Sequence, residues 1–73
     1  MTSHITVIKI YNDVIYICDN NGYLKIIHPE NFTTADHGKL MKNSINNILF
    51  MENSTKMFIT DILGELICFD SST

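Results

Sequence analysis

The chain has 73 residues, a formal net charge of −3 and five basic residues, all of them lysine. That length allows one domain with a small core, marginal unless something staples it or docks on it. A nucleic-acid surface needs clustered Lys and Arg. Lys9, Lys25, Lys39, Lys42 and Lys56 are scattered and arginine is absent, so neither nucleic-acid binding nor bidentate phosphate recognition is expected.

Ile5 to Ile10 reads as a strand, because five of its six residues are β-branched. Tyr11-Asn12-Asp13 breaks it with turn residues. Val14 to Cys18 is a second strand, and Asp19-Asn20-Asn21-Gly22 is a tight turn, since Asn and Gly tolerate positive φ. Tyr23 to Ile27 is a third strand, ended by Pro29, which cannot donate to a ladder. Phe32 to Met41 holds Asp36-His37-Gly38 and reads as a short, irregular outer strand. Ile45 to Met51, Lys56 to Thr60 and Glu65 to Phe69 are three further strands, separated by Glu52-Asn53-Ser54-Thr55 and by Asp61-Ile62-Leu63-Gly64. Asp70 opens a polar end, with residues 71–73 as a tail. Apolar runs are short and cut by turns, as in all-β folds, and no helical period is sustained.

The second half repeats the first. Tyr16-Ile17-Cys18-Asp19-Asn20-Asn21-Gly22-Tyr23-Leu24 returns 42 residues later as Phe58-Ile59-Thr60-Asp61-Ile62-Leu63-Gly64-Glu65-Leu66. The strand order is therefore a-b-c-d-a-b-c, with one repeat over about 4–42 and an incomplete one over about 44–70. A period near 40 with strand-turn-strand content marks propeller-type repeats. The strands do not alternate. Val14-Ile15-Tyr16-Ile17-Cys18 and Leu66-Ile67-Cys68-Phe69 are apolar on both faces, and such strands need cover on both faces. Two sheets packed on each other leave two outer faces bare. A bare face of several hundred Å² marks an interaction site or an aggregation hazard.

These residues resemble the WD40 repeat family of β-propellers, over about one and three-quarter blades. Phe69-Asp70 looks like the family's Trp-Asp ending. Asp19 and Asp61 stand at its turn aspartate, Cys18 and Thr60 at the small residue before it, and His4 at its histidine. The resemblance implies that His4 hydrogen-bonds Asp19 and pins the entry to the first strand against the Asp19 to Gly22 turn. The first repeat ends Ile27-His28, the second has Ser44 in place of the histidine, and tryptophan is absent. Residues 13–24 also resemble a quinoprotein-type propeller repeat. Structural roles are expected for His4, Asp19, Gly22, Asp61, Gly64, Phe69 and Asp70.

Chemistry is sparse. His4, His28, His37, Cys18 and Cys68 lack any metal-ligand spacing, and His37 is read as a loop residue. Asp36-His37 with Ser44 or Ser54 has no nucleophile-elbow context. Gly22, Gly38 and Gly64 are isolated at turns and form no phosphate loop. Tyr11, Tyr16 and Tyr23 are read as core and cross-strand residues rather than a base-stacking platform. No enzyme activity, cofactor, metal or small-molecule substrate is expected. Cys18 and Cys68 are read as buried free thiols. No apolar run has the ~18 residues of a membrane span, and Met1-Thr2-Ser3-His4 opens no signal peptide. A cytoplasmic or other intracellular location follows, with Asn31-Phe32-Thr33 and Asn53-Ser54-Thr55 as chance sequons.

The expected function is that of a non-enzymatic interaction or structural subunit. Its partner is another protein chain, or copies of itself, that cover a bare face and complete the ring of blades. The chain being a piece of a longer propeller is a separate possibility. Apolar residues at a turn tip and nearby, Ile62, Leu63, Met57 and Phe50 with Met41 and Met51, are the candidate partner contacts. The rival reading is a small oligomeric β-barrel that binds a ligand or nucleic acid.

Overall fold

The computed structural model describes residues 3–72; Met1, Thr2 and the last residue of the expected tail, Thr73, lie outside the described residues. Seven strands follow in order: β1 (Ile5–Tyr11), β2 (Val14–Asp19), β3 (Tyr23–His28), β4 (Thr33–Lys39), β5 (Ile45–Phe50), β6 (Lys56–Asp61) and β7 (Leu66–Asp70). They form two antiparallel sheets, β1-β2-β3-β4 and β5-β6-β7, each a meander of neighbours in sequence. The sheets do not close into a barrel, and the described residues hold no helix.

Turn chemistry sets the register. Asn12 (φ 52°) and Asp13 (φ 62°) are both left-handed and join Tyr11 to its partner Val14. Positive φ at both central residues is what a two-residue hairpin needs to match strand twist. Asp19 accepts from the Gly22 N–H through its carbonyl (3.2 Å), and Gly22 follows at φ 87°. Asp61 and Gly64 repeat that bond at 3.1 Å, with Gly64 at φ 84°. Both first strands carry a bulge at the same place, after Ile5 and after Ile45. The β5–β6 turn is longer and includes Asn53 at φ 57°.

The core lies between the sheets. Val7, Tyr16, Cys18, Leu24 and Ile26 from the first sheet meet Ile45, Ile48, Met57 and Ile59 from the second, with Met41 from the connection. Aromatic rings bridge the layers: Tyr11 stacks on Phe50 at 4.5 Å, Tyr16 tilts against Phe50 at 4.8 Å, and His37 meets Phe69 edge-on at 5.1 Å. Lys9 adds a polar clamp. Its Nζ donates to Asn47 Oδ1 and to the Ile48 carbonyl, both at 2.8 Å. Burial raises the pKa of the Tyr16 hydroxyl, with Ser71 beside it pulling the other way.

Two expectations are corrected here. His37 is not in a loop but in β4, facing Phe69 across the layers. Cys68 is exposed rather than buried, because it alternates with Ile67 and Phe69, which pack on the core. Cys18 is fully buried as expected, and both thiols are free. Burial, with Asp19 beside it, pushes the Cys18 thiol up to about 12.

Candidate protein-interaction surface

Equivalent residues of the two repeats have opposite fates. Leu24 is 0% exposed, whereas its counterpart Leu66 is 57% exposed. Ile59 is 0% exposed, whereas its counterpart Ile17 is only half-buried. The reason is geometric. The first sheet turns one face of the repeat toward the core and the second sheet turns the other. Register shows which residues stand outward. On the first sheet Ile8 pairs with Ile17, and Ile10 with Ile15, which in turn pairs with Ile27. On the second sheet Leu49 pairs with Phe58, which pairs with Cys68, and Thr60 pairs with Leu66.

Both outward faces are apolar and open. Ile8 is 59% exposed and Ile10 70%, while Leu49 is 52% and Met51 42%. Scattered exposed apolar residues are ordinary on a protein surface. Five isoleucines clustered on one sheet face are not, and contiguous patches of this kind mark interaction sites. The β7 strand is also a sheet edge, with ladder partners on one side only. Beside it lies an open groove lined by Val14, Tyr16, Ile26, His28, Ala35, His37 and Ser71.

The turn residues do structural work. Asp19 Oδ1 accepts from the N–H groups of Asn21 (2.9 Å) and Tyr23 (3.0 Å). Asp61 Oδ1 accepts from Leu63 (3.0 Å) and Glu65 (2.9 Å) in the same way. The pair differ in burial: Asp19 is half-buried, and Asp61 is 1% exposed with no partner for Oδ2. Gly22 lies against the backbone of Met41 and accepts from the Leu40 N–H at 2.8 Å, whereas Gly64 faces open space.

The expected bond from the His4 side chain to Asp19 is not made. His4 is exposed, and its backbone does the pinning instead. The His4 carbonyl accepts from the Asn20 N–H (2.9 Å), and the His4 N–H donates to Asn20 Oδ1 (3.0 Å). The Ser44 carbonyl repeats the first of these bonds with the Ile62 N–H at 3.0 Å. A backbone contact of this sort needs no particular side chain, which is why Ser44 serves where His4 does.

Of the candidate partner contacts, Ile62 (61%) and Leu63 (68%) are exposed at the β6–β7 turn. Met57 is corrected: it is 1% exposed in the core because it points the same way as Ile59. Phe50 is likewise held inside the chain by Tyr11 and Tyr16, and Met41 is buried. Ile8 and Ile10 of β1 are not among the expected contacts, although the β-branched run was the available signal, whereas Ile15 and Ile17 belong to the strand expected to be apolar on both faces. Phe69 packs against the core.

Asp70 is a surface hydrogen-bond acceptor. Thr55 Oγ1 (2.6 Å), Ser72 Oγ (2.7 Å) and the Ser72 N–H (3.0 Å) all donate to its Oδ1. Those bonds, with Thr55 contributing most, hold its carboxyl down from 3.8 to about 2. A depressed folded-state pKa gives stability that is present above the unfolded value and lost as pH falls through the folded one. The melting temperature of the native chain is therefore expected to fall more steeply between about pH 4 and pH 2 than that of Asp70→Asn. Parallel curves across that window would sink the assignment.

Among the described residues no group of three His, Cys, Asp or Glu is placed to hold a metal ion, and no helix is long and apolar enough to cross a membrane. Asp36 Oδ1 accepts from the Gly38 N–H and Ser54 Oγ from the Lys56 N–H, so these groups are turned to their own turns rather than to each other. Compared with known proteins, the chain matches no family model, no curated protein and no solved structure.

Proposed function

We propose that the chain is a non-enzymatic interaction subunit, a partial WD40-like propeller whose two bare sheet faces are covered by protein. The observation that carries this reading is the outward apolar face on each sheet, with Ile8 and Ile10 on one and Leu49 and Leu66 on the other. A sheet with both faces apolar is stable in water only when both are covered. The open edge of β7, beside the groove at Tyr16, Ile26 and His37, suits addition of a strand from the covering protein. Free thiols at Cys18 and Cys68 fit a reducing, intracellular compartment.

Light scattering and an apolar fluorescent dye test the reading together. The purified chain is expected either to exceed its 8.4 kDa monomer mass or to remain a monomer that binds the dye. In the second case, Ile10→Glu with Leu66→Glu abolishes dye binding and keeps the β-type circular dichroism. An 8.4 kDa monomer that binds no dye would show that neither face needs cover, and the reading would fall.

A further inference from the structure

We infer that the covering protein is a second copy of this chain, bound head to tail, with the outward face of β5–β7 in one copy seated on the outward face of β1–β4 in the next. This rests on the reading of the bare faces given above and goes further by naming the partner.

The packing inside one chain already joins unlike faces. The first repeat contributes Tyr16, Cys18 and Leu24, and the second contributes Met57, Ile59 and Ile48. The repeat makes each of these faces twice, and the second set stands unused. Phe58, Thr60 and Leu66 are the counterparts of Tyr16, Cys18 and Leu24, and they stand outward on the second sheet. Ile15, Ile17 and Ile8 are the counterparts of Met57, Ile59 and Ile48, and they stand outward on the first. The internal contact can therefore be formed again between copies, with apolar residues at the central positions of each side.

The small differences keep the faces matched. Lys9, which clamps the internal contact, has Leu49 as its counterpart, so that position turns apolar on the outward face of the second sheet, while Val7, Val14 and Cys18 have Asn47, Lys56 and Thr60 as theirs, at the margin of the apolar patch formed by Leu49, Phe58 and Leu66. Phe50 is replaced by Ile10, and Tyr11, on which it stacks, by Met51. Both pairs stay apolar. On the first sheet Lys25 stands at the counterpart of Ile67, with Asp36 as its cross-strand partner and Lys39 near by on β4, so the charge lies toward the β4 side of the face, away from Ile8, Ile10, Ile15 and Ile17. The aliphatic stem of Lys25 can lie along an apolar surface while the ammonium reaches water.

A contact between unlike faces repeats until it closes. It gives a ring when the rotation fits and an open filament when it does not. Each copy brings two sheets, so a closed ring holds an even number of them. Rings of about four to eight such sheets correspond to two, three or four copies.

Two exposed positions separate the faces. Ile10→Glu spoils only the first-sheet face, and Leu66→Glu spoils only the second-sheet face. Both residues are more than half exposed, so each variant is expected to keep the β-type circular dichroism of the native chain. By light scattering the native chain is expected at two, three or four times 8.4 kDa. Each variant alone is expected to be a monomer. Mixed together, the two are expected to form a 1:1 dimer that grows no further, because one good face of each kind remains. Cys68, on the second-sheet face, gives an independent readout. It is expected to resist a thiol reagent in the native assembly and in the mixed dimer's Ile10→Glu partner, and to react in either variant alone, with buried Cys18 unreactive throughout.

A native monomer that binds apolar dye would overturn the second copy as occupant while leaving the proposed function standing. A native dimer broken by only one of the two substitutions would mean like-to-like pairing and would also overturn it. So would the absence of the mixed dimer. If either variant misfolds, Ile8→Lys and Leu49→Lys make the same separation.

Discussion

Replacing Asp61 by alanine is expected to cost about 2–3 kcal/mol, more than the same change at Asp19, which is expected to cost about 1. The two aspartates occupy matching turns and each accepts two backbone N–H groups through one oxygen. A hydrogen bond to a charged group is worth roughly 1.5–3 kcal/mol, and a donor left without an acceptor keeps its full desolvation penalty if water cannot reach it. Asp19 is half-buried, so water can replace its carboxylate. Asp61 is 1% exposed, so at the second turn water has little access. Removing the partnerless Oδ2 gives back part of the loss, since a buried polar atom without a bond is itself costly. Asp61→Asn keeps the Oδ1 acceptor and is expected to cost under about 1 kcal/mol. Denaturant unfolding of the four chains checks the order. Equal losses at positions 19 and 61 would show that burial does not control the turn.

Gly22→Ala is expected to be among the most damaging single changes in the chain, at about 3 kcal/mol or more, whereas Gly64→Ala is expected to cost about 1–2. Both glycines are left-handed, at φ 87° and 84°, so alanine is strained at either place. Only Gly22 has a neighbour in the way. A Cβ there would overlap the backbone carbonyl of Met41, and backbone cannot rotate aside as a side chain can. At Gly64 nothing stands within 4 Å. A domain of this length has a total stability of only several kcal/mol, on the order of 0.1 per residue, so the first change is expected to leave much of the chain unfolded at room temperature. Thermal melts of the two variants check the contrast. A Gly22→Ala protein as stable as Gly64→Ala would mean that the 40–44 connection yields to the added methyl.

The strands were legible because turn residues punctuate them. Asn12-Asp13, Asn20-Asn21-Gly22 and Pro29 mark ends within a residue or so of those observed for β1, β2 and β3. Even the weak β4 lies within the segment Phe32 to Met41 that reads as an outer strand, although Asp36 and Gly38 give His37 the local look of a loop residue. The all-β class and the unclosed pair of sheets followed from the repeat. Orientation was not legible. Alternation reports which side of a strand is buried only when one side is polar, and Met57-Phe58-Ile59 offers apolar residues to both sides. Packing of unlike faces then decides that Met57 and Ile59 go in while Leu66 and Cys68 go out. That choice belongs to the pair of sheets and is written in neither strand alone. The same holds for Lys9, an unremarkable lysine in sequence that becomes the clamp between layers. A sequence match points to the His4 side chain and Asp19, whereas the pinning is done by the His4 backbone and Asn20.

The meander order of both sheets has a kinetic consequence. Every strand pairs with its neighbour in sequence, so each ladder closes over a short loop and the sheets can form early and independently. Their docking comes later and has a choice of targets. Residues 40–44 tether the second sheet to the first, which gives the internal contact an effective concentration in the millimolar range or above. At the low concentrations of a newly made chain the tether decides the outcome, and each molecule docks on itself first. What it then offers to its surroundings is a preformed unit with one face of each kind outward, in place of two loose sheets competing for whichever neighbour arrives.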